Sequence, residues 1–294
     1  MIKLFQHTLI IVGMILPLSV TGQEDLMNLI EEGEAQEFSA SIFHGSRLIL
    51  GHSVKTHHKR TLEVLITHRF GRINLGAHEL YGLDVSNIRL GLDYGITDDI
   101  NVGIGRSSFD KTYDGFFKYR FLRQSEAGFP LTMVFFSSLA IRATPREEED
   151  PSISFKDRLA GTYQLLLARK INSRLSLQLM PALIHKNRVE AFDDNTSVAL
   201  GAGGRVKLTK GVALNAEYYY RIDPPDNSPY KNSLSIGFDI ETGGHVFQLH
   251  FTNSQMTIER AFITETFDDF FDGDIHFGFN ISRVFQLGGE DKDW

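Results

Sequence analysis

Residues 232–253 read NSLSIGFDIETGGHVFQLHFTN. Leu234, Ile236, Phe238 and Ile240 alternate with Ser235, Gly237, Asp239 and Glu241. After Thr242-Gly243-Gly244 the alternation resumes, Phe247, Leu249 and Phe251 against Gln248, His250 and Thr252. A period of two across a glycine pair predicts a β-hairpin, because glycine supplies the positive φ angles of a tight reversal. One face of this hairpin is apolar and the other carries charge, so the fold turns on which of them meets water.

Working outward, twelve alternating segments of this kind run from Thr61 to Leu287, at 61–70, 87–96, 100–109, 113–122, 131–142, 159–170, 174–184, 197–207, 212–221, 232–241, 245–253 and 274–287. Their lengths are near the ~10 residues of a tilted membrane strand. The connections between them alternate long and short, the short ones including 97–99 and 171–173 and the long ones 71–86 and 143–158, with 109–112 the exception. In an up-and-down barrel every second connection lies on the same rim. One rim would then carry tight turns and the other long excursions, as in outer-membrane barrels with short periplasmic turns.

Parity decides between membrane and water. Leu62, Val64, Ile66, Leu90, Leu92, Val102, Ile104, Leu175, Leu177, Leu179, Phe277, Phe279 and Ile281 share the apolar face. The opposite face holds Glu63, Arg69, Arg89, Asp93, Lys118, Arg120, Lys170, Arg205, Glu217, Arg221, Asp239, Glu241 and His250. Arg106, Arg169, Arg283 and His68 break the pattern toward strand ends, where long side chains reach head groups or water. Tyr94, Tyr163, Tyr218 and Tyr220 fit an aromatic girdle on the apolar side. A soluble periplasmic β-protein gives the same alternation with the sign reversed. It is the weaker expectation, since a twelve-strand interior is too wide for one layer of side chains. The expected fold is an all-β, up-and-down antiparallel transmembrane barrel, its lipid side apolar and its lumen charged.

Composition bounds the rest. The chain has 294 residues, 42% hydrophobic and 23% charged, with 26 Gly, 8 Pro and no Cys. Without cysteine there is no disulfide framework, thiolate metal site or thiol nucleophile. A net charge of -7 with no basic stripe argues against nucleic acid as a partner. Residues 1–22 read as a signal peptide, with Lys3, an apolar run and small residues at the expected cleavage point. The expected organisation is then 23–60 as a periplasmic or plug segment, 61–287 as the barrel and 288–294 as a polar tail. Outer-membrane lipid is the expected partner, with a small polar solute a further candidate.

Candidate chemistry is sparse. His52, His57, His58 and His68 invite a metal, but without a companion carboxylate at defined spacing a solvated basic segment is the simpler reading, and no metal or cofactor is assigned. Asp268–Asp274 lacks the acidic spacing of a calcium loop and reads as a turn entering the last strand. The acidic stretches REEED at 146–150 and Glu265, Asp268 and Asp269 are expected to face outside as solvated loops. For a barrel-embedded lipid hydrolase, His250 and Ser254 or Ser107 and Ser108 are the nearest candidates, but no nucleophile, base and orienting group emerge, so no catalytic residue is named. The inward charges are the best functional candidates: Arg89, Asp93, Lys118, Arg120, Arg205, Glu217, Arg221, Asp239, Glu241 and His250 would line a polar path or pair to fill the barrel. The expected role is a pore, transport or anchoring component of the envelope.

HRFG at 68, LGLDYGITD at 90, SLQLMPALIHKN at 176, GAGGRVKLTK at 201, FDIETGGHVFQLHFTNS at 238 and GDIHFGFNISRVF at 273 together resemble the domain of unknown function 5777, a β-barrel family of bacteroidete bacteria. The resemblance covers nearly all of the chain after the signal. It implies an envelope β-barrel and brings no activity, substrate or site residue with it. In one respect the chain departs from ordinary outer-membrane barrels: GGEDKDW follows the last strand.

Overall fold

The computed structural model describes residues 41–125, 128–143, 154–242 and 245–288. The expected signal peptide, the REEED stretch, the Gly243-Gly244 turn and most of the polar tail lie outside them. Twelve strands close into one antiparallel barrel in which each strand pairs with its sequence neighbours and the last returns to the first. They are β1 (Thr61–Arg72), β2 (Ser86–Gly95), β3 (Ile100–Ser107), β4 (Tyr113–Leu122), β5 (Thr132–Ile141), β6 (Leu159–Lys170), β7 (Leu175–Lys186), β8 (Thr196–Lys207), β9 (Val212–Ile222), β10 (Ser233–Thr242), β11 (His245–Thr252) and β12 (His276–Gln286). Closure sets Ile66 opposite Ile281 and Thr61 opposite Gln286. It leaves no unpaired sheet edge, which a strand in hydrocarbon could not afford.

Alternation fixes the faces. Along β1 every second residue from Thr61 is buried, Glu63, Leu65, Thr67 and Arg69 among them, while Leu62, Val64 and Ile66 look outward. Around the barrel Leu90, Ile104, Phe117, Phe135, Leu177, Leu200, Phe238 and Phe251 stand exposed on the outer surface. Tyr113, Tyr119, Tyr163, Tyr218 and Tyr220 share that surface. A band this continuous is far larger than a soluble protein tolerates and is what lipid solvates.

The connections 96–99, 171–174 and 208–211 are tight turns on the rim where β1 begins and β12 ends, which also carries the longer β4–β5 link, 123–131. The opposite rim carries the longer links, 73–85, 142–158, 187–195, 223–232 and 253–275, with the short β3–β4 turn among them. By the usual asymmetry of such barrels the short-turn rim is periplasmic.

Two pieces of chain enter the lumen, one from each rim, and the core forms between them and the wall. From the short-turn side, residues 41–58 bring Ile42, Phe43, Leu48, Ile49, Leu50 and Val54. From the long-loop side, the β11–β12 connection folds inward and places Met256, Ile258, Phe262 and Ile263 against Phe136, Leu166, Met180, Ile184 and Tyr219 of the wall. Within it Glu259–Thr264 forms one short helix, α1, buried throughout. This corrects the expectation that Glu265 faces outside in a solvated loop with Asp268 and Asp269. The run from Asn253 to Thr266 buries too much apolar surface to stay in water, and the chain is exposed again from Phe267 onward, in the turn into β12. Residues 41–60, whose strand character is visible in the sequence, contribute only an isolated bridge between Arg47 and His52.

Inward glycines make room for this filling. A Cβ on Gly201 would lie 2.6 Å from the ring of Tyr219, one on Gly103 would strike the Phe116 ring, and one on Gly105 would strike the Arg89 guanidinium. Each absent side chain is replaced by the bulk of a neighbouring inward residue, so that the wall stays close-packed.

Candidate functional site

The lumen is the site, and its first problem is a segment without regular structure buried inside a barrel. Every backbone N–H and C=O of residues 46–54 needs a partner where no strand runs beside it. Two are local, Leu48 N–H to the Gly51 carbonyl at 2.8 Å and Ser53 N–H to the Ser46 carbonyl at 3.0 Å, and these close a tight loop. Inward side chains of the wall satisfy others. Glu217 on β9 accepts from Leu50 N–H at 2.6 Å and from Gly51 N–H at 3.3 Å. On β7, Gln178 donates to the His52 carbonyl at 2.8 Å and accepts from Val54 N–H at 2.9 Å. Gln248 on β11 donates to the Leu48 carbonyl, Asn280 on β12 to the Ile49 carbonyl, and Lys118 on β4 to the Lys55 carbonyl, at 2.9, 2.8 and 2.6 Å.

Charge joins the two halves of the plug. Arg47 Nη1 lies 3.0 Å from Glu259 Oε1 of α1, both side chains nearly inaccessible. His52 Nε2 approaches the same oxygen at 3.4 Å without making a hydrogen bond. Burial, then the positive charge of Arg47, pushes the His52 imidazole well below its ordinary value, so it is neutral at pH 7. Burial raises the Glu259 carboxyl above its ordinary value even against Arg47.

Around this centre the wall charges pair by layer. Arg89 forks onto Asp114, with Nε to Oδ1 at 2.9 Å and Nη2 to Oδ2 at 2.5 Å. Near the short-turn rim Arg205 reaches Glu241 at 2.8 Å and Asp239 at 3.7 Å, His44 of the plug meets Glu241 at 2.6 Å, and Arg120 meets Asp99 at 2.7 Å. Near the long-loop rim Asp193 takes both Lys186 and Arg221 at 2.7 Å. Arg260 of α1 holds Glu265 at 2.7 Å, and Lys186 lies 3.4 Å from the same carboxylate. Burial raises the Asp193 and Glu265 carboxyls, but these cations outweigh it and hold both below the ordinary carboxylate value.

The ten residues singled out in the sequence thus all face inward, with Arg120 and Glu241 only partly buried toward a rim. They do not make one path. Arg89 pairs with Asp114 rather than with Asp93 four residues on, and Arg221 turns away from Glu217 to Asp193. Glu217 grips backbone instead of lining water, and His250 is fully buried with neither ring nitrogen hydrogen-bonded among the described residues. Glu265, expected in a solvated loop, is buried against Arg260. His52 and His57, expected in a solvated basic segment, are buried in the lumen. Sequence reasoning passed over Gln178, Gln248 and Asn280 because they carry no charge; their inward parity was the available signal.

The plug leaves a cavity at each end. The short-turn vestibule, of about 950 Å3, is bounded by Ile42, His57, Glu63, Arg120, Glu241 and Gln286 among others. The long-loop pocket, of about 440 Å3, includes Arg142, Arg158, Lys186, Arg188, Asp193 and Glu265 in its lining.

Solved structures with a similar shape include the NanC porin, at 7% identity over 78% of this chain and 100% of that one, TM-score 0.46. Another is the COG4313 outer membrane channel from Pseudomonas putida F1, at 13% identity over 78% of this chain and 97% of that one, TM-score 0.47. A third is LpxR from Salmonella typhimurium, at 12% identity over 76% and 100% of the two chains, TM-score 0.38. No functionally curated protein matches the chain. A closed antiparallel barrel with an apolar outer belt, an ionic lumen and one rim of tight turns is the architecture of the outer membrane, and the chain is a barrel of that membrane. Residues 43–285, which take in the wall and most of the described plug, match the membrane-bound beta barrel domain named domain of unknown function 5777, and the chain belongs to that family.

Proposed function

We propose that the protein is a pore or transport barrel with a closed resting lumen, opened for a small polar solute when residues 41–58 withdraw toward the periplasmic rim. The observation that carries this reading is the difference between the two halves of the plug. The β11–β12 insert is tethered to a strand at both ends, whereas residues 41–58 have no ladder bonds to the wall among the described residues and are held by side chains that bond to their backbone. Such bonds can be exchanged for water one by one, and a vestibule of about 950 Å3 lies on the side to which the segment would move.

The second reading is a static plug in an anchoring barrel. The apolar packing of Leu48, Ile49 and Leu50 on Met180 and Tyr219 favours it, because withdrawing that surface costs about 25 cal/mol per Å2. Planar-bilayer recording separates the two. The full mature chain should show low or intermittent conductance, and a variant lacking residues 41–58 should conduct steadily. In that open variant Asp239→Lys should shift the preference from cations toward anions. A deletion variant that keeps heat-modifiable gel mobility yet stays silent would leave the anchoring role. For a lipid hydrolase the nearest pair offers little, since Ser254 Oγ points to Met256 Sδ at 3.7 Å and no bond joins it to His250 among the described residues.

A further inference from the structure

We propose that His57, Glu63 and Asp93 form a binding site for a divalent transition metal, which ties the plug to the barrel wall. Glu63 on β1 and Asp93 on β2 are directly opposite in the strand register and both point inward. Like charges in that position repel, more so out of water, and such a pair needs a cation between or beside it. His57 of the plug brings an imidazole to the same place: one ligand atom from each of the three residues lies within 4.8 Å of the others, and all three side chains are buried.

The independent sign is Asp93 itself. It is 1% exposed, and neither of its carboxylate oxygens has a hydrogen-bond partner among the described residues. The cations of the neighbourhood are directed elsewhere, Arg89 to Asp114, Arg47 to Glu259 and Lys118 to the Lys55 carbonyl. A buried carboxylate left this way is expensive, and a bound ion satisfies it. Glu63 is already oriented, since Ser46 Oγ donates to its Oε2, while His57 Nε2 lies 3.1 Å from the same atom, a separation two ligands of one ion can have. Ligands aimed by outer hydrogen bonds are the usual support of a metal centre.

One imidazole and two carboxylates suit Zn2+ or Mn2+. Bonds of about 2.0–2.2 Å set neighbouring ligand atoms about 3–4 Å apart, within reach of side-chain rotation from the spacing observed. His57 and Glu63 also line the short-turn vestibule, which gives an ion a route from the periplasmic rim. Because two ligands come from the wall and one from the plug, the ion would act as a latch on residues 41–58. The site itself requires only that the plug be docked, so its test does not depend on the barrel conducting.

The test is metal content. The full mature barrel in detergent, stripped with EDTA and dialysed against Zn2+ or against Mn2+, should retain roughly one ion per chain. Asp93→Asn and His57→Gln should each weaken retention at least ~10-fold while keeping heat-modifiable mobility. Failure of the wild-type chain to retain either ion overturns the proposal, and so does undiminished retention in both variants, which would place the ion on surface histidines. If a variant does not assemble, Co2+ in the wild-type barrel decides: visible ligand-field bands stronger than and shifted from those of aqueous Co2+ support the site, and a spectrum identical to that of aqueous Co2+ overturns it.

Discussion

At the scale of the residue, the plug is held by inward side chains that partner its backbone and its charges. Glu217 is the clearest case, since its carboxylate accepts the N–H groups of both Leu50 and Gly51. Glu217→Ala strands these two donors inside the barrel, at about 1–3 kcal/mol each. The expected result is faster amide exchange across residues 46–53 with the wall strands unchanged, read by hydrogen-exchange mass spectrometry. Exchange as slow as in the wild type would mean that other contacts hold the loop. Arg47 makes the matching case for charge. Arg47→Ala leaves Glu259 buried without its cation, a change that costs about 3–5 kcal/mol when a buried pair is broken from one side. Truncating both partners, Arg47→Ala with Glu259→Ala, should recover much of that loss in a double-mutant cycle read by urea unfolding in detergent.

At the scale of the element, the strands were legible, whereas the plug was legible only as one of two fates for residues 23–60 and its contacts were not. The period of two in β10 and β11 names its own faces, because every residue of a barrel wall has either lipid or lumen beside it. The segment at 41–58 follows no such rule. Its apolar residues are satisfied from several directions at once by strands distant in sequence, Leu48 lying beside Gly203 of β8. The insert with α1 was hidden for a related reason: the run ERAFIT at 259–264 mixes charge with apolar residues, and its Arg260 and Glu265 neutralise each other locally. The candidate site was half legible, its inward charges by parity and its pairing not at all, since Asp114 and Asp193 become partners of Arg89 and Arg221 only through the curvature of the sheet and the return of a loop.

The contact of the insert with the long-loop rim also carries a pH dependence, whose sign follows from Glu265 of the insert and Asp193 of the β7–β8 link. Asp193 and Glu265 sit below their ordinary values because Lys186, Arg221 and Arg260 outweigh the effect of burial. A carboxyl depressed in the folded state contributes stability that is present above its unfolded value and is lost as pH falls through the folded one. Through these two groups the seating of α1 should weaken in acid, below the ordinary carboxylate range, whereas Glu259, raised by burial, acts in the opposite sense, so the dependence is read in Glu259→Gln. Limited proteolysis of the β11–β12 insert at graded pH, with an acid-active protease, checks it. Susceptibility that rises toward alkaline pH instead would contradict the assignment.

At the scale of the whole molecule, the barrel is an inside-out arrangement in which the ionic network and the packed plug occupy the interior and the apolar residues solvate lipid. The cost of an error on the outer face should therefore depend on depth rather than on residue type alone. Phe238 stands near the middle of β10, exposed, with Leu214 and Leu249 beside it on the neighbouring strands. Phe238→Arg puts a charge at the hydrocarbon centre, and on barrels of this kind an arginine there costs about 2–4 kcal/mol, falling to about 0–1 near the interface. Ile171, exposed in the tight turn between β6 and β7, supplies the interfacial comparison, and Ile171→Arg should be close to neutral. Folding of both variants into lipid vesicles against urea should separate them by that margin. In a soluble protein the order would reverse in meaning, because a charge replacing an exposed Phe238 would improve solubility and leave folding unharmed. Equal stability of the two variants would therefore remove lipid from the outer face, and with it the reason for charges to gather inside.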